Sequence, residues 1–172
     1  MNKAITLMEL IVAISLLGVI ILGVASFDLG SRQMFKSSER KTQVMNEAAL
    51  ILDRIAKDAI TGIGDVGNPA IAVNATTLDI RQDNGDGVRN AGDTIVSYVF
   101  SSGAYTLTRA IGAAPAETIS NKVVSFTTSL PGGNTAIIAL TLRKNPADPE
   151  NAFDNPQATI QSIVEVPAWS VN

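Results

Sequence analysis

The sequence predicts an α+β protein: a long N-terminal helix whose lower half packs on an antiparallel β-sheet head. Three observations carry this. Residues 5–27 are almost wholly apolar, broken only by Thr6, Glu9, Ser15 and Ser26. Val44, Ala48, Ile51, Leu52, Ile55 and Ala59 recur at spacings of three and four, which puts them on one helical face. Beyond Pro69 the chain becomes a series of short runs rich in β-branched and aromatic residues, separated by turn dipeptides.

Four regions follow from these patterns. Residues 1–4 form a short basic leader. Residues 5–27 form the apolar segment, which as a helix at 1.5 Å per residue spans roughly 34 Å, enough for a bilayer core of about 30 Å. Residues 28–60 continue as an amphipathic helix. Arg32, Lys36, Arg40, Glu47, Arg54 and Lys57 are expected mostly away from its apolar face. No proline interrupts the chain before Pro69, so both segments can form one helix, with Gly18, Gly23 and Gly30 each weakening it by about 1 kcal/mol relative to Ala. Gly62, Gly64, Gly67 and Pro69 are expected to end it.

Residues 61–172 read as the β-rich head. Strands are expected at 75–81, 94–101, 104–109, 123–128 and 136–143, with an edge strand at 158–166 before Pro167. Asn84-Gly85-Asp86-Gly87, Ser102-Gly103 and Pro131-Gly132-Gly133-Asn134 supply turns between them. Short connections favour antiparallel pairing. One sheet face then needs cover, and the apolar face of Val44 to Ala59 provides it.

Composition removes several classes of function. The chain has 172 residues, no His and no Cys, which excludes disulfides, thiolate nucleophiles, histidine bases and zinc sites built from Cys or His. Net charge is −3 with no basic run, which argues against a broad nucleic-acid footprint. Ser and Thr are plentiful, but no Ser-x-x-Lys or Gly-x-Ser-x-Gly motif accompanies them, so the expectation is a protein that is not an enzyme.

The leader and the start of the apolar run, Lys3-Ala4-Ile5-Thr6-Leu7-Met8-Glu9-Leu10, resemble the processing site of type IV pilins and type II secretion pseudopilins. The resemblance covers residues 4–23. It implies cleavage by a prepilin peptidase between Ala4 and Ile5, followed by N-methylation of the new terminus. Ala4 stands where the family usually has Gly. The proline that usually kinks the apolar helix of major pilins is missing, which points toward a minor pilin or a pseudopilin.

In that setting Glu9 has a role, with Thr6 and Leu7 completing the motif. A charge at the centre of a membrane helix costs about 2.5–3.5 kcal/mol, and less near the end. Processing would create an amine at Ile5, and Glu9 of one subunit can pair with the amine of a neighbour. At about 4 Å such a pair is worth on the order of 1 kcal/mol in water and about 4 kcal/mol at an effective dielectric of 20. The alternative is a plain anchor with a snorkelling Glu9.

A softer resemblance covers about half of the head. Asp83-Asn84-Gly85-Asp86-Gly87, Tyr98-Val99-Phe100, Leu107-Thr108-Arg109 and Ile119-Ser120-Asn121-Lys122-Val123-Val124-Ser125-Phe126 look like the W-type minor pilins and J-type pseudopilins. The resemblance implies a non-catalytic subunit of a type IV pilus or of a type II secretion pseudopilus. Its partners would be other pilin or pseudopilin subunits, prepilin peptidase and an inner-membrane assembly platform. Its place would be the bacterial inner membrane, with the head periplasmic, and then the filament.

Residues 82–93 (QDNGDGVRNAGD) also resemble an EF-hand-type calcium loop. In that register Asn84 and Asp86 are ligands three and five, Gly87 makes the turn, the Val88 carbonyl is ligand seven and Asp93 closes the loop. Gln82 stands at the first ligand position, and Asp83 supplies the missing carboxylate if the register differs. Calcium is therefore a candidate structural ion, and a bare hairpin connection is the alternative reading of the same Asn-Gly and Asp-Gly pairs. Asp148, Glu150 and Asp154 are weighed as a second metal site against a solvated loop. Trp169 is weighed as a partner contact against a core aromatic, and the basic-leaning stretch from Arg32 to Lys41 as a lipid contact against a solvated face.

Overall fold

A computed structural model describes residues 6–64, 68–132, 135–151 and 153–166. Helix α1 runs unbroken over Leu7–Ile60, 54 residues or about 81 Å. Its start is a capping box: Glu9 N donates to Thr6 Oγ1 at 3.3 Å, and Thr6 N donates back to Glu9 Oε2 at 3.0 Å. The helix ends at Ile60 with Thr61 as its C-cap, just before the first of the expected end signals; Gly62 N donates to Ala59 O at 2.9 Å and closes the last turn.

The residues of α1 that are buried are Val44, Ala48, Ile51, Leu52, Ile55 and Ala59, the six expected from spacing. The helix is long and apolar enough to cross a membrane, and the most apolar window of it is wholly unburied by the head.

Among the described residues the head contains eight strands: β1 Ile71–Val73, β2 Thr77–Gln82, β3 Thr94–Ser101, β4 Thr106–Ile111, β5 Glu117–Ser120, β6 Val123–Gly132, β7 Thr135–Arg143 and β8 Gln157–Glu165. Every pairing is antiparallel. The one expected sheet is in fact two, with strand orders β1-β2-β3-β4-β5 and β6-β7-β8. The switch occurs at Lys122. The Val123 amide still donates to Tyr105 O at 3.0 Å, and from there β6 pairs with β7.

Both sheets turn apolar residues inward at every second position. Val96, Tyr98 and Phe100 of β3 are buried, as are Ala136, Ile138, Leu140 and Leu142 of β7. One core joins them to the lower half of α1 and to Leu78, Ile80 and Leu107. The helix lies mainly across β7 and β8, with β2 touching its end.

Two strands go beyond the sequence expectation, β1 and β5. They are three and four residues long, too short for alternation to register, and β5 is a largely exposed edge. Strand β4 starts at Thr106 rather than 104 because the hairpin turn places Tyr105 at φ 55°, a left-handed conformation that cannot belong to a strand.

Candidate functional site

Two regions carry candidate functional residues: the N-terminal end of α1 and the β2–β3 loop. A third group joins them physically by fixing the helix to the head.

At the N-terminal end, Ala4 and Ile5 lie outside the described residues. Thr6 and Glu9 form the capping box, and Leu7 is 77% exposed. Both of Thr6's donors, its amide at 3.0 Å and its hydroxyl at 3.1 Å, go to Oε2 of Glu9. Oε1 is therefore left for another donor among the described contacts. The other hydroxyls of the apolar run are satisfied inside the helix: Ser15 Oγ donates to Ile11 O and Ser26 Oγ to Leu22 O, each at 2.8 Å. Glu9 is thus the single ionisable side chain of the apolar segment, on a surface formed by Leu10, Ile11, Val12, Ile14, Leu16 and Leu17, all more than half exposed. The first ion pair of the helix follows the segment, Arg32 Nε to Asp28 Oδ2 at 2.8 Å.

The lower helix is clamped by charged residues along the edge of its apolar face. Asp58 is central. Arg109 Nε donates to Asp58 Oδ2 at 2.7 Å and Arg109 Nη2 to Oδ1 at 2.8 Å, a two-pronged pair, while the Tyr98 hydroxyl also donates to Oδ2. The Asp58 and Arg109 side chains are only 12% and 11% exposed. Burial alone would raise the Asp58 carboxyl; the hydrogen bonds from Arg109 and Tyr98 and the Arg109 charge outweigh it and hold it below the usual carboxylate range. Burial first, and then the neighbouring Asp58, push the Tyr98 hydroxyl up, so that it stays a donor.

Glu47 accepts from Ser120 Oγ at 2.7 Å and from Lys122 Nζ at 2.6 Å, and Arg54 pairs with Glu117 at 2.9 Å. Glu47 and Arg54 lie beside the apolar face, where the spacing places them mostly away from it. They bracket the apolar stripe and reach β5 and the turn after it. Asp58 was missed by sequence reasoning. The available signal was its position seven residues after Ile51 and three after Ile55, on the buried face itself.

In the β2–β3 loop, residues 82–93 divide differently from the expected register. The Gln82 amide turns away and donates to Asp58 O at 3.0 Å. Asp83 folds inward and accepts from the Gly85 and Gly87 amides at 3.0 and 3.1 Å. Asn84 Oδ1 accepts from Asp86 N, Asp86 Oδ1 from Val88 N, and Asp86 Oδ2 from Asn90 Nδ2. The backbone bond from Val88 is the main reason the Asp86 carboxyl lies below its ordinary range. Gly87 sits at φ +72°, the turn residue the loop requires. Asp93 is buried; its Oδ2 accepts from Asn90 N at 2.8 Å and lies 4.0 Å from Arg81. The oxygens of Asp83, Asp86 and Asp93 come within 4.8 Å of one another.

Asp148, Glu150 and Asp154 are not brought together as such a group among the described residues. Their loop is organised instead by buried Asn155, whose amide donates to Asn145 O, Asp148 O and Pro149 O. Arg40 straps the loop to the helix through Asp154 at 2.8 Å and Phe153 O at 3.0 Å. Trp169 lies outside the described residues.

No protein-family model, no curated protein and no solved structure matches this chain. The architecture itself, one long apolar N-terminal helix followed by antiparallel sheets, is compatible with a pilin-like fold.

Proposed function

We propose that this chain is a non-catalytic structural subunit, a minor pilin, of a bacterial type IV pilus. In this reading prepilin peptidase removes residues 1–4, the apolar half of α1 is held in the inner membrane, and it later enters a filament core with the head outside. The observation that carries the reading is the apolar half-helix. It has no intramolecular partner among the described residues, and it carries one carboxylate at its N-terminal end.

A lone anchor uses that carboxylate only to cap its own helix, whereas a bundle of identical or related helices can also pair it with a neighbour. Glu9 caps its own helix through Oε2 and keeps Oε1 for a donor on a neighbour, the amine created at Ile5 being the one the processing motif supplies. Apolar faces of adjacent helices bury each other, and the charge pair sets their axial register. The head contributes surface and partner contacts, and nothing in this assembly requires a chemical step.

The second reading is a J-type pseudopilin of a type II secretion system, supported by the same head motifs and by the lack of proline in residues 5–27. Deletion separates the two: loss of surface pili supports the first, and loss of protein export with normal pili supports the second.

The direct test is mass spectrometry of the N-terminal peptide from the native membrane fraction. The expected terminus is N-methylated Ile5. A terminus at Met1 in cells with active prepilin peptidase sinks both filament readings and leaves a membrane-anchored protein. Substitution then isolates Glu9. Glu9→Gln keeps a capping-box side chain and removes the charge, so it should be cleaved normally yet enter filaments poorly. Normal incorporation would remove the pairing role.

A further inference from the structure

We propose that the β2–β3 loop is a calcium site built from the carboxylates of Asp83, Asp86 and Asp93. Two oxygens bound to one calcium at 2.3–2.6 Å stand no more than about 5 Å apart. The three carboxylates meet this condition, with all three ligand atoms within 4.8 Å of one another. Three formal negative charges therefore converge, and the nearest ion pair among the described residues is a single one, Arg81 at 4.0 Å from Asp93 Oδ2.

The independent observation is at Asp93. Its side chain is fully buried, and its Oδ1 has no hydrogen-bond partner among the described residues. A buried carboxylate oxygen without a partner is costly, and a bound cation is the group that compensates it. Asn84 and the Val88 carbonyl are the further oxygen ligands that the loop's sequence offers, and the chain has no His or Cys to offer nitrogen or sulfur. Such an irregular, all-oxygen set suits calcium, which takes six to eight ligands in flexible geometry, better than magnesium, which demands a near-ideal octahedron at 2.0–2.1 Å.

The chemistry also corrects the expected register. Gln82, first in the sequence pattern, is committed to the helix end, and Asp83 takes its place. The ion would act structurally. Asp83 N donates to Thr61 O at 3.2 Å and Gln82 bridges Gly62, so the loop's first residues are tied to the end of α1. Calcium closes the far end of the loop, at Asp93, onto the near end.

The experiment is a calcium titration of the full-length protein in detergent micelles after removal of divalent ions. Isothermal calorimetry should give one calcium per chain. At about 100 times Kd, the melting temperature should rise by about 5–10 °C. Asp86→Asn, a change at an exposed side chain that leaves the fold intact, should weaken binding about tenfold or more. Asp93→Asn should abolish the calcium-dependent rise in Tm. Absence of heat and of any Tm shift up to about 10 mM calcium overturns the proposal. So does binding unchanged in Asp86→Asn, or an equal Tm shift with magnesium. None of these outcomes depends on whether the chain enters a filament.

Discussion

The two halves of α1 share one backbone and obey opposite rules. From Leu7 to Phe27, Glu9 apart, the helix is apolar on every side and exposed on every side. From Val44 to Ala59 it is apolar on one stripe, and that stripe is buried to 5% exposure or less. The lower half is finished by folding of the monomer. The upper half is not, and its apolar surface awaits lipid or other helices. The polar groups divide the same way. Ser15 and Ser26 bond only to their own helix, while Glu47, Arg54 and Asp58 reach Ser120, Glu117 and Arg109, which lie 73, 63 and 51 positions away in sequence. The exposed half thus keeps its hydroxyl bonds within the helix, and the buried half directs its polar bonds to the head.

The largest expected break in this contrast is at Asp58. Asp58→Ala leaves a buried guanidinium and a buried hydroxyl without their acceptor and should destabilise the head by about 3–5 kcal/mol, measured by denaturant unfolding of the full-length protein in micelles. The same carboxyl gives a pH signature. Its folded pKa is below its unfolded value of about 3.9, so its contribution is complete above that pH and fades as pH falls toward the folded value. Wild-type stability should therefore drop on acidification below about pH 4, and Asp58→Asn should flatten that drop.

Next comes a matched pair of truncations. Ile55→Ala removes a side chain that is 0% exposed and should destabilise the head by about 2–5 kcal/mol. Leu17→Ala, in the exposed half, should leave head unfolding unchanged within about 0.5 kcal/mol and alter only membrane or filament behaviour. Equal effects of the two on head stability would show that the halves are not energetically separate. The smallest effect should come from Arg32→Ala. Its pair with Asp28 is more than half exposed on both sides, and the change should fall within about 0.5 kcal/mol in the same assay.

Local order was legible wherever a short window held enough residues of one period. The six buried positions of α1 repeat at three and four, and β3 and β7 alternate for eight and nine residues. Strands β1 and β5 have too few residues for a period to form, so they emerge only when a neighbour pairs with them. In the acidic loop the residue types were plain, and the choice between Gln82 and Asp83 was not. It depends on Asp58 O, which lies 24 residues earlier and draws the Gln82 amide out of the loop.

By itself the sequence determined a continuous helix, apolar all round and then on one face, a strand-rich head without cysteine, and a loop crowded with carboxylates. These follow from backbone periods and side-chain chemistry, which act over a turn of helix or a few residues of strand. The tertiary structure decided the division into two sheets, the locking of Asp58 by Arg109 and Tyr98, and the approach of Asp83 and Asp86 to Asp93, whose buried Oδ1 has no hydrogen-bond partner among the described residues. Those outcomes depend on which distant donor reaches which acceptor once the core has closed. No local window contains both Asp58 and the Tyr98 and Arg109 that hold it.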